Sequence, residues 1–243
     1  MINSSMTVRE VALEVPQSTR LFEKLNIDYC CGGNRSLTEA CNSAGLKVDD
    51  VIGMLETTIH QVEPENGTMD SQKLPINDLI KHIVSTHHAF TENELIRLDS
   101  LTKKVIAAHG ENHPELRTVG ELVDRLAADL TPHMFKEERV LFPYISALAK
   151  ANVENLAPPF APFGTVNNPV RMMMMEHDAA GEILRDLRGV TSNYTTPSDG
   201  CMSYRTLYEA LEALEKDLHQ HIHLENNILF PRAVELEANR RHR

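Results

Sequence analysis

Tryptophan is absent from the 243 residues and aromatics make up only 5% of them, so any core must rest on Leu, Ile, Val, Met and Ala. No apolar run approaches the roughly 18 residues that span a bilayer. The opening MINSSMTVREVALEV lacks the basic stretch followed by an apolar one that marks a secretory leader. A cytoplasmic protein with no membrane partner is the expectation. Positive charge is scarce, with 24 Lys and Arg against 35 Asp and Glu, a net −11. Such an acidic chain repels phosphate backbones and anionic lipid, which argues against nucleic acid as a partner. Alternating apolar and polar stretches that would read as strands are also missing. Four cysteines, two of them adjacent, do not make a secreted disulfide framework in a chain this long; in a reducing compartment such thiols are free, metal-binding or redox-active.

What is present is helical. Thr7 with Glu10, and Ser36 with Glu39, fit the S/T-x-x-E capping box, and Val51, Ile52, Leu55 and Ile59 recur at helical spacing. Between Asn26 and Asn34 the pattern stops at Asp28-Tyr29-Cys30-Cys31-Gly32-Gly33, a tight turn. Residues 63–74 hold no apolar periodicity and read as a linker. The expected organisation is all-α: a small helical domain over 1–62 with the vicinal Cys pair, then an antiparallel four-helix bundle over 75–243. The first bundle helix is expected from about Pro75 to Ala108 and the second from a Thr118/Glu121 capping box to about Lys150. The third should open at Asn168 and Pro169, and the fourth at about Ser203.

Each bundle helix carries an apolar stripe interrupted by His. The second reads Leu126, Leu130, His133, Glu137, Val140, Tyr144, Leu148; the third Val170, Met173, His177, Ala180, Leu184; the fourth Leu214, Leu218, His221, Glu225, Ile228. On the first the stripe reaches His87 or His88. Glu four residues after His lies about 400° further round a helix, hence on the same face one turn on. Burying such groups without a partner costs several kcal/mol each, and a metal cluster is the simplest common partner. The segments His133 to Pro143 and His221 to Pro231 repeat as H-x3-E-x3-L-F-P. Upstream, His88 and His177 are each followed at seven and ten residues by Leu, a spacing that His87 lacks, which favours His88. If both Glu bridge, each metal of a pair receives two imidazoles and two carboxylate oxygens; an oxo or hydroxo bridge makes five donors and leaves one position open. Mixed imidazole and carboxylate ligands on near-octahedral ions suit iron better than tetrahedral zinc.

The two H-x3-E segments, the single His on each of the other two helices, and DYCCGG near the start resemble the iron-sulfur cluster repair di-iron proteins, which join a vicinal-Cys domain to a hemerythrin-like bundle. The resemblance implies two iron ions held by His88, His133, Glu137, His177, His221 and Glu225. It implies restoration of clusters damaged by oxidative or nitrosative stress, with damaged or apo iron-sulfur proteins and small diatomics (oxygen, nitric oxide) as partners.

Cys30 and Cys31 are candidate transfer or redox thiols, expected to be exposed; an inert pair and a vicinal disulfide are the other readings. His219 and His223 are expected to face solvent. Three functions fit the residues: iron supply or remobilisation for damaged clusters, reduction of nitric oxide at the metal pair, and reversible gas sensing or carriage. A thiol domain favours the first over the third and does not separate the first from the second.

Overall fold

The computed structural model describes residues 2–30, 32–61 and 71–241. Cys31 and most of the expected linker, residues 63–70, lie outside them. The described residues form eleven α-helices and three π-helical turns; they contain no strand, only an isolated bridge between Thr7 and Ser36. No helix among them is long and apolar enough to cross a membrane. The chain divides into two compact units, Met1–Pro75 with Ile222–Pro231, and Ile76–His221 with Arg232–Arg243.

The first unit opens with four helices, α1 (Val8–Glu14), α2 (Ser18–Leu25), α3 (Leu37–Ser43) and α4 (Val48–Gln61). Both capping boxes form: Thr7 Oγ1 accepts from the Glu10 amide at 3.1 Å and Ser36 Oγ from the Glu39 amide at 3.2 Å. Each Glu reaches back to the amide of its cap, at 2.7 and 2.9 Å. The two helix starts are also laced together, Val8 N–H donating to Arg35 O at 3.0 Å and Leu37 N–H to Met6 O at 2.8 Å. A core of Val8, Val11, Phe22, Ile27, Tyr29, Leu37, Cys41, Val51 and Leu55 fills the interior. Each fully buried Leu or Phe adds about 1.5–3 kcal/mol over exposure. Asn26, in the left-handed region at φ 53°, ends α2 and turns the chain into the Cys loop.

The second unit is built on four helical rods. The first runs α5 (Ile76–His82), a π turn (Ile83–His88) and α6 (Ala89–His109); the second runs α7 (Glu115–Lys136), a π turn (Glu137–Leu141) and α8 (Phe142–Glu154). The third is α9 (Asn167–Val190) alone. The fourth runs α10 (Met202–His223), a π turn (Leu224–Leu229) and α11 (Phe230–Arg241), its stretch Ile222–Pro231 grouping with the first unit. Leu95, Leu98, Val105, Leu116, Val123, Leu126, Leu184, Leu187, Leu207, Leu211 and Leu214 interlock as one core. The Pro-rich connection before α9 is closed by the buried Glu237. Its carboxylate accepts from Tyr144 OH at 2.7 Å, the Val166 amide at 3.0 Å and Thr165 Oγ1 at 2.6 Å.

Two helix starts differ from expectation. α7 begins at Glu115, three residues before Thr118, because Pro114 at φ −63° already holds the chain in helical geometry with no side-chain cap. α9 begins at Asn167, which puts Pro169 inside the first turn, where its missing N–H costs nothing.

Candidate metal centre

Three of the four rods interrupt their α-helical ladder where the His and Glu candidates sit. One π turn ends on His88, one begins on Glu137, and one contains Glu225. A π turn closes its hydrogen bonds over one more residue than an α turn and so re-aims the side chains that follow. That re-aiming explains a misread stripe. Val140, expected in the core, is 47% exposed and Leu141 is buried in its place, because the extra residue of the π turn advances the register by one.

The six candidates are all buried to within 1% of full occlusion. Ligand atoms of His88, Glu137, His221 and Glu225 lie within 4.8 Å of one another, and so do those of His133, Glu137, His177 and Glu225. The two groups share both carboxylates. Glu137 Oε2 stands 3.4 Å from His88 Nε2 and 3.4 Å from His133 Nε2. The imidazoles face each other in pairs, His88 Nε2 at 3.1 Å from His221 Nε2 and His177 Nε2 at 3.0 Å from His133 Nε2.

Two further carboxylates fix which nitrogen carries the proton. His88 Nδ1 lies 2.8 Å from Glu138 Oε1, and His133 Nδ1 lies 2.8 Å from Glu176 Oε2. An ionised carboxylate only accepts, so Nδ1–H donates, and in the neutral form of each ring the Nε2 lone pair is then the one turned inward to the facing ring. Histidines that bind metals are held in this tautomer by such carboxylates. Inward lone pairs, neutral imidazoles and two shared buried carboxylates make a donor set that fits two divalent or trivalent cations of intermediate hardness. Burial opposes ionisation of Glu176, but hydrogen bonds from Lys136 and His133 outweigh it and hold the carboxyl below its ordinary range. A cleft of about 350 Å³ reaches His133, walled by Pro132, Lys136, Met172, Met175 and Glu176.

On the first rod His87 and His88 are both buried, the wider turn carrying each inward. His88 joins the metal-type group, while His87 Nδ1 pairs with Asp217 Oδ1 at 2.9 Å. Glu138 was not singled out from sequence. Its signal is an acidic residue directly beside a candidate ligand, the same relation that Glu176 has to His177.

The expectation of exposed thiols is corrected at Cys30, which is 5% exposed. Its amide and its thiol both turn to Asp28 Oδ1, at 3.1 and 3.4 Å, so an Asx turn folds the side chain inward. Cys41 is buried among apolar neighbours and its thiol is pushed up by that burial. His223 does not face solvent: it is 8% exposed, its ring edge-on to Tyr29 at 5.4 Å. Burial, with the Arg9 charge adding to it, pushes its pKa down to about 4.

Residues 78–233 match the family described as the hemerythrin HHE cation binding domain, and residues 4–58 match ScdA_N, a domain of unknown function (DUF542). The chain is 34% identical over 224 residues to the iron-sulfur cluster repair protein YtfE of Yersinia pseudotuberculosis, covering 92% of this chain and 94% of that one. The protein of the same name from Yersinia pestis matches at the same identity and coverage. A "Probable iron-sulfur cluster repair protein" of Haemophilus influenzae is 32% identical over 225 residues, 93% of this chain and 95% of that one. With both family models matched in order and relatives aligned over nearly their whole length, the chain belongs to the family of iron-sulfur cluster repair proteins, an ScdA_N domain followed by a hemerythrin HHE domain.

Proposed function

We propose that this chain holds two iron ions and repairs iron-sulfur clusters damaged by oxidative or nitrosative stress, by supplying or remobilising iron in the cytoplasm. The observation that carries the reading is the pair of buried His/Glu groups that share Glu137 and Glu225. His88, His221, Glu137 and Glu225 would hold one ion; His133, His177 and the same two carboxylates would hold the other. When bound, an iron pair, oxo- or hydroxo-bridged in this reading, would supply exchangeable metal. Neutral imidazoles outnumber carboxylates, so the site balances less positive charge than an all-carboxylate cage would and favours release over permanent storage. Glu138 and Glu176 keep their histidines oriented while the metal leaves or returns.

Residues 1–62 form the thiol domain, 63–74 the linker and 75–243 the metal-holding bundle in this reading. Cys30 and Cys31 serve as transfer or redox thiols, with Asp28 positioned to accept the Cys30 proton. The clients are damaged or apo iron-sulfur proteins, and the net charge of −11 disfavours nucleic acid.

The test is to load the purified chain with ferrous iron and count metal, then mix it with an apo iron-sulfur protein and, separately, with nitric oxide. Two irons per chain and transfer to the apo protein are expected. Cys30→Ser with Cys31→Ser should keep the irons and slow transfer, because a serine hydroxyl is not a nucleophilic ligand at neutral pH. A single tetrahedral zinc, or nitric oxide turnover without transfer, would refute the proposal.

A further inference from the structure

Within the first unit, one side chain joins the Cys loop to the π turn that carries Glu225. Asn227 lies two residues beyond Glu225, in Leu224–Leu229, and is 6% exposed. Its amide nitrogen has two hydrogens and two acceptors: Tyr29 O at 3.1 Å and His223 Nδ1 at 2.8 Å. Tyr29 O is the carbonyl of the peptide bond into Cys30. The backbone of Asn227 is held as well, its carbonyl accepting from Arg9 Nη2 at 3.2 Å. A π turn withdraws a carbonyl from the regular helical ladder, and here a guanidinium from α1 is its partner.

The other end of the connection is rigid. Tyr29 is 1% exposed, stacks on Phe22 with centroids 6.2 Å apart, and donates its hydroxyl to Glu23 Oε1 at 2.8 Å. Arg9 closes the loop from its own backbone, its amide donating to Gly33 O at 2.8 Å. Gly33 permits this close fit: a Cβ there would stand 2.8 Å from Tyr29 O and 3.3 Å from Arg9 Cβ. Any side chain at 33 must therefore displace the carbonyl that Asn227 grips.

We infer that Asn227 and Arg9 are positioning residues through which the Asp28–Gly33 loop sets the backbone of the π turn under Glu225, so that the state of the thiol loop governs how tightly the metal is held. The inference rests on the reading of Glu225 as a ligand. It deepens that reading by making the loop a regulator of metal retention as well as a source of thiols. Any event that lifts Cys30 off Asp28 would shift the Tyr29 carbonyl and, through Asn227, the turn that presents the carboxylate.

The probe is ferrous iron in the full-length chain, followed by its release rate to a chromophoric chelator and by the ligand-to-metal absorption of the oxidised form. Asn227→Ala and Gly33→Ala should each speed release about tenfold and move the absorption band. The double variant should release no faster than either alone, since both cut the same connection. Arg9→Met, which keeps the stem and loses the donor, should speed release in the same direction. Gly53→Ala, where a new Cβ meets nothing within 4 Å, should release at the wild-type rate. Melting curves of the metal-free variants check that the fold persists, and Arg9→Met carries the test should Gly33→Ala unfold. Release within twofold of wild type in Asn227→Ala and Arg9→Met, while Glu225→Gln loses iron, overturns the positioning role alone. Full iron retention by Glu225→Gln overturns the ligand reading and this inference with it.

Discussion

Glu137→Leu should leave the metal-free protein at least as stable as wild type and make the iron-loaded protein less stable. The Glu137 carboxylate is fully buried, with histidine nitrogens at 3.4 Å on either side. Without a cation this is a desolvated carboxyl group between rings whose Nδ1 atoms already face Glu138 and Glu176. Replacing a buried ionic group by an apolar one of similar size is neutral to stabilising, by up to about 4 kcal/mol, when no charge is left stranded. His88 and His133 keep their partners Glu138 and Glu176 in the variant, so none is left. At about 2–4 °C per kcal/mol for a chain of this size, the metal-free variant should melt level with wild type or several degrees higher. Iron reverses the order. A ligand at a hundredfold over its Kd adds about 2.7 kcal/mol per site, and the variant forfeits this at both sites if Glu137 bridges them. Scanning calorimetry on metal-free and iron-loaded forms of both chains would show the crossing. A metal-free variant that melts well below metal-free wild type would refute the reasoning, because Glu137 would then be a structural acceptor in the bundle.

Two other outcomes follow from the same structure. His88→Ala should lower iron content and shift the absorption spectrum, whereas His87→Ala, which removes only the pairing with Asp217, should change both much less; the reverse would move the ligand by one residue. Cys201 is exposed, and a hydrogen bond to His109, followed by the amides of Tyr204 and Ser203 at the start of α10, pulls its thiol down to about 7. Alkylation by iodoacetamide should therefore be slow below pH 7, where the thiol is protonated, and rise through an inflection near 7. It should precede alkylation of buried Cys41, and His109→Ala should move the inflection upward by mass-spectrometric time course.

The sequence carried the bundle well because each rod has a stripe at helical steps, and repetition of H-x3-E-x3-L-F-P marked equivalent places on two of them. It failed where the helix departs from 3.6 residues per turn. A straight α-helix places Val140 in the core, and the π turn that contains it changes which side chains point inward. His223 was misjudged for another reason. Its angle from His221 places it off the bundle seam, yet packing against Tyr29 buries it, and periodicity within one helix says nothing about a partner on another segment. At Cys30 the Gly-rich tight turn suggests exposed thiols, but Asp28 two residues earlier is the decisive neighbour.

The π turns also act as a frame for everything downstream of them. Each amounts to one residue more than an α-helix needs, so deleting a single residue between Glu137 and Phe142 would let the rod relax to a regular helix with α8 still on its present face. Phe142, Ile145 and Leu148 would stay on the core, and the loss would fall on the turn itself, where the wider coil aims Glu137. Copying the native His and Glu spacings onto an ideal straight four-helix scaffold would meet the mismatch directly. The metal-binding face and the hydrophobic face of such a graft could be correct one at a time, and only a chain that carries the extra residue keeps both in register.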